Sequence, residues 1–195
     1  MGRCYTNRRY LDALEQKVLI FDGAMGTSLQ AMELTAEHYG GETTNGCIDF
    51  LVISYPAAVE QVHRSFLEIG VDVIETDTFR ANRVTLAEYD LQDRVLEINR
   101  AAAQLARRLA DEYSTAEHPR FVAGSMGPSG KLPSMDDPGL SGITFSGLVD
   151  VFREQAFGLI QGGADLILIE TSQDILELKA AILGAQGAFA ETSAY

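Results

Sequence analysis

With 195 residues, 46% of them hydrophobic and 22% charged, the chain has ordinary globular composition and length enough for one sizeable core. Its 28 Asp plus Glu against 15 Lys plus Arg leave a net charge of -13, a field that repels nucleic acid and anionic membranes. Cys4 and Cys47 stand in no CxxC or CxH spacing, which argues against a disulfide framework or a zinc finger. No apolar leader and no run of about 18 apolar residues occurs, so the expected setting is cytoplasmic, with no membrane partner.

Residues 1–16 read as a basic, helical lead-in, residues 17–190 as one domain and 191–195 as a tail. The first apolar run, Val18 to Phe21, enters DGAMGT, and a long connection reaches to about residue 55. Val59, Val62, Phe66 and Ile69 then step by three and four, the spacing of a helix with one buried face. A tight link at Gly70 leads to Val71, Val73 and Ile74, a second strand closed by Glu75, Thr76, Asp77 and Thr78. Val95, Ile98, Ala102, Leu105 and Leu109 mark the next helix, and FVAGSMGPSG the third strand and its loop. Leu148, Phe152 and Leu159 mark another helix, then Gly162 and Gly163 precede ADLILIETSQD, a fourth strand ending at Glu170. Ile175, Leu178, Ile182 and Ala185 give the last helix, and GAQGAFAETSAY contains no apolar strand.

Strands this apolar, alternating with helices, predict a parallel sheet in the order one, two, three, four with right-handed crossovers. The helix-to-strand links are short and the strand-to-helix links long. Ligands of such folds lie at the carboxyl ends of the strands, where the polar residues gather.

Several residues there carry two readings. Asp22 before Gly23 is ordinary turn chemistry as well as a candidate ligand group, and Gly23 and Gly26 suit a tight turn or a close backbone approach. Glu75 and Glu170 end buried strands, so each needs a partner to offset desolvation, and Glu170 is the stronger site candidate. GSMGPSG lacks the GxxxxGK[ST] spacing of a phosphate loop, and no GxGxxG opens a helix. His38, His63 and His118 are scattered and read as surface or packing residues, and Cys47 as a small buried one.

DGAMGT, ETDTFRANR, GSMGPSG and the segment TFSGLVDVFREQAFGLIQGGADLILIETSQDILELKAAI occur in that order. From about Val18 to Ala185 they resemble the homocysteine S-methyltransferase family, in particular the amino-terminal homocysteine-binding modules of cobalamin-dependent methionine synthases. The resemblance implies a (βα)8 TIM-type barrel that binds homocysteine at its carboxyl face, activates the thiol on zinc and methylates it from methylcobalamin. It implies Asp22 and Glu170 on the substrate ammonium, and the Gly23 backbone with the Thr76 or Thr78 region on its carboxylate. Such an arrangement suits a zwitterion, which needs carboxylates on one side and N–H donors on the other.

The family's three zinc cysteines belong to the second half of the barrel, and neither Cys4 nor Cys47 matches one. The expectation is therefore a half-barrel of about four βα units with the substrate side present, inactive alone, whose partners are homocysteine and a cobalamin-binding module or a complementary half-barrel. Asp77 stands where the resemblance predicts Asn, and Arg80 where it predicts Gly. S-methylmethionine or betaine as methyl donor, a non-catalytic subunit, and an unrelated flavodoxin-like binding domain are the alternatives.

Overall fold

A computed structural model describes residues 8–193; Cys4 and the last two tail residues lie outside them. Helix α1 (Arg9–Gln16) precedes an extended segment, then α2 (Met25–Gln30), α3 (Leu51–Ser54) and α4 (Pro56–Glu68) lead to β1 (Val73–Glu75). Helices α5 (Arg83–Leu86) and α6 (Val95–Tyr113) are followed by β2 (Phe121–Met126), α7 (Phe145–Gly162), β3 (Leu166–Ile169) and α8 (Ile175–Thr192).

The three strands form a parallel sheet in the order β1-β2-β3, with Val73 beside Phe121 and Ala123 beside Leu166. The predicted order and direction therefore hold. The predicted first strand differs: residues 17–22 contribute an isolated parallel bridge, Phe21 to Val73, at the outer edge of β1. The cause lies in Asp72. Its backbone N–H and that of Val73 both donate to the Ile20 carbonyl, at 2.8 and 3.1 Å, but the Ile20 N–H donates to the Asp72 carboxylate at 3.0 Å rather than to a backbone carbonyl. A side chain thus replaces one rung of the ladder, and Lys17 at 2.6 Å and Arg120 at 3.4 Å neutralise it. Together these contacts hold the Asp72 carboxyl below the usual range against its desolvation.

Asp165 repeats the device one strand later. It accepts the Val122 N–H at 2.8 Å and pairs with Arg107 at 2.6 Å. The GVD and GAD tripeptides before β1 and β3 are thus strand-aligning clamps at the amino end of the sheet. Gly70 and Gly163 make the preceding turns in the left-handed region, at φ 98° and 97°, which glycine adopts without a Cβ penalty.

Alternation along the strands divides the core, because successive side chains point to opposite faces. Val73, Phe121, Ala123, Leu166 and Leu168 share the inner face, where Leu19 and α1 residues Tyr10 and Ala13 cover them; the Tyr10 and Phe121 rings meet edge to face at 5.5 Å. Ile74 and Val122 face the α3, α4 and α6 side, and Met126 and Ile167 face α7 and α8. Both faces are covered along β2, whereas all four β3 residues are only half-buried.

Helices α6, α7 and α8 approach closely through glycines. A Cβ on Gly162 would lie 2.6 Å from the Arg100 carbonyl, and one on Gly184 would lie 2.8 Å from the Val149 carbonyl. Gly184 and Gly187 thus belong to a helix running on to Thr192, past the predicted boundary at residue 190.

Candidate functional site

The carboxyl ends of the strands open onto a cleft of about 300 Å³, lined by residues from each of the four predicted strand ends. The extended segment supplies Asp22, β1 supplies Glu75, β2 supplies Ser125, and Glu170 follows β3. Parallel strands in register bring these residues together across nearly 150 positions of sequence.

Asp22 is held by one hydrogen bond and faced by a buried imidazole. Its Oδ1 accepts the Glu75 N–H at 2.9 Å, and its Oδ2 lies 3.9 Å from Nδ1 of His63 on α4. Glu170 is oriented by Ser125, whose hydroxyl donates to Oε1 at 2.6 Å. Glu75 is close enough to both acids to feel their charge: burial first, then Glu170, then Asp22 push its carboxyl up to about 7. Three carboxylates at one partly dry site, with the lining Arg80 turned to Glu88, favour a proton on one, and Glu75 is the one whose carboxyl rises.

Gly23, Ala24, Met25 and Gly26 form part of the lining, with Ala24 at φ 53°, a left-handed conformation that turns the chain into α2. Met25, Ile48 and Phe79 supply apolar surface.

The two threonines separate. Thr76 lines the cleft, but Thr78 is fully buried and absent from its lining. Thr78 donates to the Ser125 carbonyl at 2.8 Å, so in the 2.6 Å contact between the two hydroxyls Thr76 is the donor. Thr76 in turn accepts the Ser125 N–H at 3.0 Å. Both hydroxyl protons are used within this circuit, which ties the end of β1 to β2. Direct donation from Thr78 to a ligand is blocked for that reason, and its contribution is to hold Thr76 and Ser125.

Beside these residues lie Asp77 and Arg80, where the resemblance predicts Asn and Gly. Asp77 is buried, and desolvation together with the Asp49 charge raises its carboxyl well above the ordinary range. A neutral aspartic acid has the outline of asparagine and likewise one donor side, so the departure adds little charge. Asp49 itself is pushed up to about 6 by burial, opposed by the Arg80 N–H it accepts at 2.8 Å. The Arg80 guanidinium turns to Glu88, with 2.8 Å contacts to both oxygens.

Sequence reasoning missed Asp49, Ser125 and His63 as members of this neighbourhood. Asp49 had a usable signal, an acid inside the apolar run CIDFLVI, which must find partners once buried.

Zinc, implied by the resemblance, does not fit the residues described. Among them no three His, Cys, Asp or Glu side chains are grouped to hold a metal ion. Cys47 is buried, and desolvation followed by the Asp49 charge pushes its thiol up to about 12, the reverse of what a metal thiolate needs. Nor does Cys47 line the cleft. No helix of the described residues is long and apolar enough to cross a membrane.

Comparison with known proteins agrees with this geometry. Methionine synthase of Mycobacterium tuberculosis is 43% identical over 178 residues, 91% of this chain. That of Mycobacterium leprae is 41% identical over 181 residues, 93% of the chain. The chain spans 14% of the length of each of these relatives. The crystal structure of the homocysteine methyltransferase MmuM from Escherichia coli in its metallated form superposes with a TM-score of 0.72 at 21% identity. That superposition covers 96% of this chain and 64% of the other, so the two share a fold over that span. The profile described as Homocysteine S-methyltransferase matches residues 19–193, and the chain belongs to that family.

Proposed function

We propose that the chain is a homocysteine-binding module of methionine synthase type, and that the cleft holds the amino acid end of homocysteine for methyl transfer from methylcobalamin. The observation that carries this reading is the convergence of Asp22, Glu75 and Glu170 on one cleft whose lining cation, Arg80, is paired with Glu88 instead. An alkylammonium group supplies a cation to the three acids. Ser125 occupies Glu170 Oε1 and leaves Oε2 for the substrate; Asp22 gives the second acceptor. As the ammonium enters, Glu75 is relieved of the repulsion that holds its proton, and its carboxyl falls towards the ordinary range. The Gly23 backbone receives the substrate carboxylate, Thr76 forms the wall beside it with its hydroxyl proton already given to Thr78, and Met25, Ile48 and Phe79 take the methylenes.

Methyl transfer makes a sulfur–carbon bond as the donor's bond to that carbon breaks, and the thiol proton must leave. No described side chain is suited to hold that thiolate, so the 195-residue chain by itself binds homocysteine without methylating it detectably. Turnover requires a complementary half-barrel carrying the zinc cysteines, and a cobalamin-binding module. A cytoplasmic setting suits both the family and the free, buried Cys47. Titration of the chain with homocysteine, followed by assay with methylcobalamin, tests the proposal: heat of binding without turnover supports it, whereas turnover by the chain alone contradicts it.

A non-catalytic assembly subunit is the second reading. It is favoured by the apolar edges: Val18 and Ile20 are 80% and 55% exposed on one side, and β3 pairs on one side only among the described residues.

A further inference from the structure

Beneath the cleft, His63 is fully buried on α4, and neither ring nitrogen has a hydrogen-bond partner. A buried imidazole without partners is costly, and the charged group facing it is Asp22, whose Oδ2 lies 3.9 Å from Nδ1. The other Asp22 oxygen is already fixed by the Glu75 N–H at 2.9 Å. A closure of about 1 Å would bring Oδ2 within hydrogen-bond range of Nδ1.

We propose that His63 is a positioning residue: its Nδ1–H is the donor that fixes the second oxygen of Asp22 and so aims the carboxylate's remaining lone pairs into the cleft. This rests on the reading of Asp22 as an ammonium acceptor. Held by one N–H alone, the carboxylate swings about its Cβ–Cγ bond. Held at both oxygens, it presents one orientation to the substrate, and the ordering cost is met before binding. The role demands a particular tautomer, with the proton on Nδ1 and none on Nε2, which is buried without a partner.

Two measurements decide it. In the free chain labelled with 15N-histidine, long-range proton–nitrogen correlation should show a proton on Nδ1 of His63; a neutral ring protonated at Nε2 overturns the proposal. In titrations with homocysteine, His63→Leu should lose about tenfold in affinity, the scale of one hydrogen bond to a charged group. His63→Asn, which keeps an N–H donor near the Nδ1 position, should stay within about threefold of the parent. Thermal melts establish that both variants fold. Unchanged affinity in folded His63→Leu, or equal losses in the two variants, also overturns it. If the parent chain binds no homocysteine, the functional reading fails, while the tautomer still decides whether His63 holds Asp22.

Discussion

Replacing Glu75 by glutamine isolates the electrostatics of the cleft, because it keeps the outline of the side chain and removes its ability to ionise. An ordinary glutamate titrates near 4.5, and Glu75 is pushed up to about 7 by burial and by Glu170 and Asp22. That gap is worth at most ~3.4 kcal/mol between the two protonation states. Water in the open cleft screens the charges, so about 1–2 kcal/mol is the working magnitude. A carboxyl whose folded value is raised contributes stability that is complete below about 4.5 and is lost as the pH climbs through 7. At pH 8 the parent chain carries an ionised Glu75 against two like charges, whereas Glu75→Gln does not. Urea denaturation should therefore find the variant more stable by about 1–2 kcal/mol at pH 8 and nearly equal to the parent at pH 5. A variant destabilised equally at both values would refute the assignment of a shared proton to the cleft.

Other perturbations separate the site from its scaffold. Glu170→Ala should weaken homocysteine binding more than Glu75→Ala in calorimetric titration, since Glu170 is the oriented acceptor and Glu75 the neutral member of the group. A Cβ on Gly127 would lie 2.6 Å from the Phe79 carbonyl oxygen and 2.7 Å from its ring; Gly127→Ala should cost about 1–3 kcal/mol in denaturant melts. Metal analysis after dialysis of the 195-residue chain should find no zinc held one to one, because a catalytic zinc takes about three protein ligands.

The apolar runs at the strands and the three-and-four spacing of the helices were legible, because each is a local pattern imposed by burial of one or both faces. Residues 17–22 were read as a full strand since their composition is that of one. What shortens the ladder is the Asp72 side chain, more than fifty positions away, and no local pattern reports it. The end of α8 was obscured in a similar way. Gly184 and Gly187 stand in a stretch of small residues that changes character after the apolar helix, yet Gly184 is the notch through which α8 meets α7, and tertiary packing outweighs a propensity cost of about 1 kcal/mol. At the site, Asp22 and Glu170 were singled out by strand-end chemistry and resemblance, and both line the cleft. The resemblance put the Thr76 or Thr78 region on the substrate carboxylate, and the turn after β1 buries the second hydroxyl against Ser125. His63 escaped notice because it lies on the buried face of a helix, where packing alone would account for it.

The central claim is that the cleft recognises the ammonium group of homocysteine through its carboxylates. The most direct measurement compares homocysteine with 4-mercaptobutanoate, which has the same carboxylate, methylenes and thiol but no amino group, by calorimetric titration of the same chain at about pH 6, below the value of about 7 to which Glu75 is raised. The account predicts binding of homocysteine accompanied by proton release from Glu75, visible as a dependence of the measured heat on the buffer's ionisation enthalpy, and at least tenfold weaker binding of the analogue. Equal affinity for the two compounds would contradict it.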